Sequence, residues 1–411
     1  LCYFSVKASF FISKKILRGS KSDYSRNIVA ISVGTIALCV AVMLLSVFIV
    51  LGFKHEVERK VVGFIGHARV LPITNNESLE SPPLSLKPES LFLLAKDKHV
   101  VSLNGYAYKG GIIKTPDMIE GVVIYGIGSD FNTSCFSGEF VKGSFPAFND
   151  TVLNDSVVIS KVLADKLLLD VNDRISMYFM REDKPSIRRF VIAGIYESGF
   201  STYDKLYVVG DINHVRKLNS WNKDEVTGYQ VFLKSSKNTD DYVDYANSFL
   251  DYSSMVFPYY KINQQVFDWL NLQDTNVILL ITLMAVVCAI TVISIMIIII
   301  IEKSSMIGVL KALGMDNRSV RIVFMTKSLY LSALGVIIGD VLAITLSLLQ
   351  KYFSIIKLSQ ESYYMSTVPV EINVAAIIAV NISALLLCLL ASVIPSSMIG
   401  RISPFSAIQS E

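Results

Sequence analysis

The stretch VILLITLMAVVCAITVISIMIIIIIEKSSMIGVLKALGM, residues 277–315, decides how the whole chain is read. Its first part, 277–301, carries no charged side chain and exceeds the roughly 20 residues that a helix needs to cross a hydrocarbon core of about 30 Å. At Glu302 the pattern changes. Met306, Val309, Leu310 and Leu313 recur at i, i+3, i+4 and i+7, so a short helix over 302–315 carries a narrow apolar stripe, with Lys311 on the opposite side. This segment is too polar to span a bilayer and too regular for a loop. It reads as a helix outside the bilayer whose stripe is pressed against another surface.

Three further stretches, 28–53, 328–350 and 374–394, have the length and apolarity of a span, and the only charge in any of them is Asp340. With 52% hydrophobic and 18% charged residues among 411, and a mean hydropathy of +0.50, the chain reads as an α-helical membrane protein with four transmembrane helices. A net charge of +3 with no continuous basic patch argues against a nucleic-acid binder. The first apolar stretch is too long for the core of a signal peptide and no small-residue cleavage pattern follows it, so it is expected to be a retained anchor.

Lys and Arg set the expected orientation. Residues 1–27 hold Lys7, Lys14, Lys15, Arg18, Lys21 and Arg26, and 302–327 hold Lys303, Lys311, Arg318, Arg321 and Lys327, which puts both segments in the cytoplasm. The expected order is a cytoplasmic segment 1–27, a first span 28–53, an external domain 54–276, a second span 277–301, a cytoplasmic connector 302–327, a third span 328–350, an external loop 351–373, a fourth span 374–394 and a cytoplasmic tail 395–411. Cys39, Cys288 and Cys388 fall in spans, Cys2 in the cytoplasm and Cys135 alone outside. No external disulfide is expected within one chain, and the thiols read as small packing residues.

The external domain mixes both periodicities. Strand-like alternation or β-branched runs occur over 121–128, 174–180, 188–196, 205–210 and 228–234, and helical spacing over 90–98, 160–169, 212–219 and 240–252, so an α+β class is expected, with the β-rich part at about 119–234. Residues 180–186, MREDKPS, read as a polar hairpin tip. Residues 262–276 run without Gly or Pro into the second span, either as a helical stalk or as an ordinary juxtamembrane helix anchored by Trp269.

Motifs for catalysis are absent from the sequence. No G-x-x-x-x-G-K-[ST] loop is present, so the chain does not supply an ATPase, and GIGSD at 126–130 lacks the third glycine of a dinucleotide fingerprint. The four histidines show no metal-ligand spacing and no G-x-S-x-G occurs, so no catalytic residue, cofactor site or metal site is expected. Asp340 is the costly residue of the third span, and it reads either as hydrogen-bonded to a neighbouring Ser or Thr or as part of a proton relay. Gly335 and Gly339 suit close helix packing.

Taken in order, one span, an outer domain of about 200 residues, then three spans with EKSSMIGVLKALGM between the second and third, the chain resembles the permeases of the MacB/FtsX superfamily of ABC systems. Within it, residues 9–53, 110–132, 190–221 with Gly194, Gly199 and Asp204, and 394–411 with Pro395, Arg401, Pro404, Ala407 and Glu411 are similar to lipoprotein-releasing permeases of the LolC/LolE type. The resemblance implies a MacB-like periplasmic core domain over 54–276, an FtsX-like permease domain formed by the last three spans, and location in a bacterial inner membrane. It also implies a coupling helix that docks in a separate LolD-like ATP-binding subunit, where ATP and Mg act, through Met306, Val309, Leu310, Lys311, Leu313 and Gly314.

The implied function is a non-enzymatic transport subunit that extracts acylated lipoproteins for delivery to the outer membrane. Its implied partners are a second permease subunit (the same chain or a paralogue) and a periplasmic lipoprotein carrier. The tip at 180–186 is shorter than the hook by which LolC-type subunits hold that carrier. Met43, Val47, Phe48 and Phe53 are the expected apolar lining of a substrate cavity, alongside ordinary lipid-facing or packing roles. The alternative readings are a MacB-like mechanotransmission or efflux permease and an FtsX-like regulator of a cell-wall hydrolase.

Overall fold

A computed structural model describes residues 23–73, 82–116, 118–131, 140–149, 152–181, 184–359, 363 and 365–401. The basic leading segment up to residue 22, the tip residues 182–183 and the tail 402–411 with Pro404, Ala407 and Glu411 lie outside the described residues, as do Cys2 and Cys135. The described residues divide into a mixed α/β unit, within 55–269 and 357–367, and a helical unit, within 23–54, 270–356 and 368–401.

Helix α1 (Asp23–Ile65) contributes to both units. It stops at Gly66, whose φ of +78° only glycine adopts without strain and whose added Cβ would lie 2.8 Å from the Val231 carbonyl oxygen. Strand β1 (Ala68–Pro72) follows. The remaining strands are β2 (Val100–Lys114), β3 (Ile119–Ile127), β4 (Phe140–Gly143), β5 (Ser156–Ser160), β6 (Arg174–Arg181), β7 (Lys184–Tyr196), β8 (Tyr207–Asp211), β9 (Gly228–Leu233) and β10 (Ser254–Pro258). They form one sheet in the order β10-β1-β9-β2-β3-β8-β5-β7-β4, with β6 paired to β2 and β7. Pairing is parallel between β3 and β8 and between β5 and β7, and antiparallel elsewhere.

The helices of this unit are α2 (Pro88–Lys96), α3 (Lys161–Leu167), α4 (Ser201–Asp204), α5 (Ile212–Asn219), α6 (Thr239–Asn247) and α7 (Tyr259–Ile262). Local chemistry sets their ends. Ser160 caps α3 by accepting from the Leu163 amide, and Asp211 caps α5 by accepting from the Asn213 amide. Ile212, Val215 and Leu218 then share the buried face of α5 in a core with Ile124, Val157, Ile192 and Val208 of the sheet. Apolar burial of this kind is the main favourable term in folding.

The helical unit contains α8 (Gln264–Glu302), α9 (Ser304–Ala312), α10 (Asn317–Phe353) and α11 (Val374–Ser397) together with the first part of α1. Helix α8 is continuous from its polar beginning into its apolar run, as both sequence readings of 262–276 allow. Among the described residues, four helices are long and apolar enough to cross a membrane. A hypothetical Cβ at Gly335 of α10 would lie 2.7 Å from the Ile36 side chain, and one at Gly339 2.7 Å from the Ala37 carbonyl oxygen, so these glycines are what let α10 meet the backbone of α1. Cys288 and Cys388 approach sulfur to sulfur at 3.5 Å, and with Cys39 they are buried packing residues.

Candidate functional site

Helix α9 is the element outside the four long helices that carries the predicted stripe. Its C-terminal end is closed by the Gly314 amide donating to Lys311 O and the Met315 amide donating to Leu310 O, both at 3.0 Å, with Gly314 at φ +87°. That is the Schellman arrangement, and it explains Gly314 as a stop signal. Asp316 then opens α10 by accepting from the Ser319 amide at 3.2 Å. The turn between α9 and α10 is therefore built from two caps back to back.

The faces of α9 follow. Ile307 and Gly308 are buried, Met306 is half-buried against the core of the helical unit, and Leu310 is half-buried. Val309 and Leu313 point away from the chain, 46% and 80% exposed. Lys311 sits on the buried side, where its Nζ donates to the Ile399 carbonyl oxygen at 2.6 Å. Partial burial and the neighbouring Arg321 lower its pKa. The six residues thus part into an outward pair, two half-buried side chains, an inward lysine and a capping glycine. Ile307 was missed because it lies off the stripe, about 100° from Met306, and only packing reveals a second apolar face on so short a helix.

The four cavity candidates on α1 are placed differently. Met43, Phe48 and Phe53 are buried, and Val47 is half-buried beside the same core, so within one chain their apolar surface is spent on packing rather than offered to a ligand. Large residues exposed on this part of α1 are Ile31 and Leu38. Asp340 has neither Ser nor Thr as its partner. Its Oδ2 accepts from Asn381 Nδ2 of α11 at 2.8 Å, which corrects that expectation, because a partner 41 residues away on another helix leaves no local signal.

In the α/β unit, Arg69 is a buried cation that sequence reading did not single out. It donates through Nε to the Ile65 carbonyl oxygen at the end of α1 and through a terminal nitrogen to Tyr125 Oη, both at 3.2 Å, and lies 4.5 Å from the Tyr106 ring centre. Burial disfavours its charge, yet Tyr106, Tyr125, Tyr203 and Tyr207 outweigh that and raise its pKa above the ordinary value. Asp204, of the segment with Gly194 and Gly199, is buried with Oδ1 accepting from Ser198 Oγ at 2.6 Å and Oδ2 from the Gly199 amide at 3.1 Å. Burial, opposed by those two bonds, pushes its carboxyl up to about 6. A cleft of about 530 Å³ lies between Ser85, Lys87, Gly105, Asp130, Arg216 and Tyr229. Among the described residues no group of three or more His, Cys, Asp or Glu is arranged to hold a metal.

The FtsX-like permease C-terminal family matches residues 278–404, and the MacB-like periplasmic core domain family matches residues 29–248, more than half of the chain. The chain belongs to the MacB/FtsX superfamily of ABC-type permeases. This permease is 21% identical over 394 residues, 92% of each chain, to the lipoprotein-releasing system transmembrane protein LolC of Xylella fastidiosa. It is 21% identical over 422 residues to the corresponding LolE protein of Haemophilus influenzae, covering 98% of this chain and 99% of that one. Among solved structures it is similar to the periplasmic region of MacB from Actinobacillus actinomycetemcomitans, at 13% identity and a TM-score of 0.35 over 50% of this permease and 95% of that chain. The extracellular domain of the transporter YknZ from Gram-positive bacteria gives 14% identity and a TM-score of 0.33 over 46% and 98%.

Proposed function

We propose that this permease is the membrane subunit of an ATP-driven complex that extracts acylated lipoproteins from a bacterial inner membrane for delivery to the outer membrane. The observation that carries the reading is the similarity along 92% or more of the chain to LolC and LolE proteins, both named as parts of a lipoprotein-releasing system. In this reading the four long helices cross the bilayer, the α/β unit stands in the periplasm and α9 stands in the cytoplasm. Val309 and Leu313 are the docking pair for a separate ATP-binding subunit, which supplies the ATP and Mg chemistry. A second permease subunit and a periplasmic carrier complete the assembly. An external energy source is needed because an acyl chain in the bilayer is held by about 0.8 kcal/mol per methylene.

The test is reconstitution of the permease with its co-purifying ATPase in lipid vesicles that hold a labelled triacylated lipoprotein. Release of the label into solution on adding ATP and a periplasmic carrier is the expected result. ATP turnover without release would sink the lipoprotein reading and leave the efflux and hydrolase-regulating alternatives.

A further inference from the structure

Asp340 and Asn381 bridge α10 and α11 through one observed hydrogen bond, while the second carboxylate oxygen of Asp340 and the single amide oxygen of Asn381 are buried with no hydrogen-bond partner among the described residues. Two acceptors left over beside a single donated bond is an unbalanced arrangement. An ionised carboxylate has no hydrogen to give, so the amide oxygen of Asn381 would stay unsatisfied, and so would the second carboxylate oxygen. A carboxylic acid removes both deficits at once, because its O–H is a donor for Asn381 Oδ1 while its other oxygen goes on accepting from Asn381 Nδ2.

The four apolar stretches supply no other charge to compensate an ion. Residues 28–53, 277–301 and 374–394 carry no charged side chain, and 328–350 carry only Asp340. The other titratable side chains of these stretches are the thiols Cys39, Cys288 and Cys388 and the phenol of Tyr330. The site also lies at a tight point of the helical unit, since the adjacent Gly339 packs its backbone against Ala37 and Val40 of α1.

We propose that Asp340 binds a proton permanently at neutral pH, forming a reciprocal acid–amide pair with Asn381 that clasps α10 to α11. The clasp is a structural proton site and takes no part in a relay. Losing the proton would remove one of its two bonds and place a bare charge among apolar helices.

The test is infrared difference spectroscopy on the full-length permease in phospholipid nanodiscs at pH 8, above the range in which the Asp204 carboxyl titrates. A carboxylic-acid C=O band is expected in the parent and lost in Asp340→Asn, which should itself assemble normally because two amides form the same reciprocal pair. In Asn381→Leu the band should persist and move to higher frequency, as an acid stripped of its amide partner does, so either variant alone reads the site. Absence of an acid band from the parent at pH 8, its survival in Asp340→Asn, or an unmoved band in Asn381→Leu overturns the proposal. The readout is independent of lipoprotein release.

Discussion

At the scale of single residues, Asp204 gives the α/β unit a distinctive acid dependence. Its carboxyl ionises at about 6 in the folded chain and near the ordinary 3.8 when unfolded, so between those values the folded state holds the extra proton. Its contribution is therefore most favourable below about pH 4 and declines as pH rises through 6, by about 3 kcal/mol for a shift of this size. His67 and His214 act in the opposite sense. Burial lowers both pKa values, and what they contribute is lost as pH falls below 6.5. The measurement that isolates Asp204 is the difference in unfolding free energy between the parent and Asp204→Asn across pH 4 to 7. That difference should shift by roughly 3 kcal/mol in favour of the variant as pH rises, and a flat difference would mean that the burial of Asp204 is not what governs it. Nothing in the sequence around Asp204 signals this behaviour, because the Ser198 hydroxyl and Gly199 amide reach it only once the loop closes.

Elements show the same contrast. The stretches read as strands over 121–128, 174–180, 188–196, 205–210 and 228–234 correspond to β3, β6, β7, β8 and β9, where apolar alternation or short β-branched runs carry the signal. Strand β2 was not foreseen although it is 15 residues long, because Gly105, Gly110 and Gly111 interrupt its pattern and its partners β3, β6 and β9 supply the register instead. On α10, Gly339→Leu forces a side chain onto the α1 backbone and should cost about 1–3 kcal/mol or more. Gly34→Leu, with nothing within 4 Å of its added Cβ, is the matched control. Thermal unfolding in detergent should separate the two variants, and equal loss in both would mean that the α1–α10 approach is not close.

Helix α9 carries the third prediction. If α9 docks as proposed, Leu313→Asp removes an outward side chain whose burial there would be worth about 1.5–3 kcal/mol and puts a charge in its place, so the ATPase should no longer co-purify. Leu313 is the cleaner probe than Leu310, which already packs partly within the chain. Lys311→Ala should retain the ATPase but loosen the Ile399 contact, seen as faster hydrogen exchange over 304–315. If Leu313→Asp holds its ATPase as firmly as the parent, docking does not use this face.

For the whole molecule the decisive matter is orientation. With the native cysteines replaced, a cysteine at the exposed Lys223 should react with an impermeant thiol reagent added outside spheroplasts, while one at the exposed Asn317 should react only after the membrane is opened. Labelling of residue 317 from outside would invert the topology and remove α9 from any cytoplasmic ATPase. The four apolar helices, the large unit inserted after the first of them and the superfamily itself were legible in the chain, because they rest on the length of apolar runs and the order of segments. Both survive without knowing a single contact. Only the tertiary structure decided which side of α9 is free, that Met43 and Phe48 are packing residues, that Gly335 and Gly339 face α1 and that Asp340 meets Asn381. Each of these depends on which distant helix or strand arrives beside a residue, and a one-dimensional pattern records the periodicity of a face but not what will cover it.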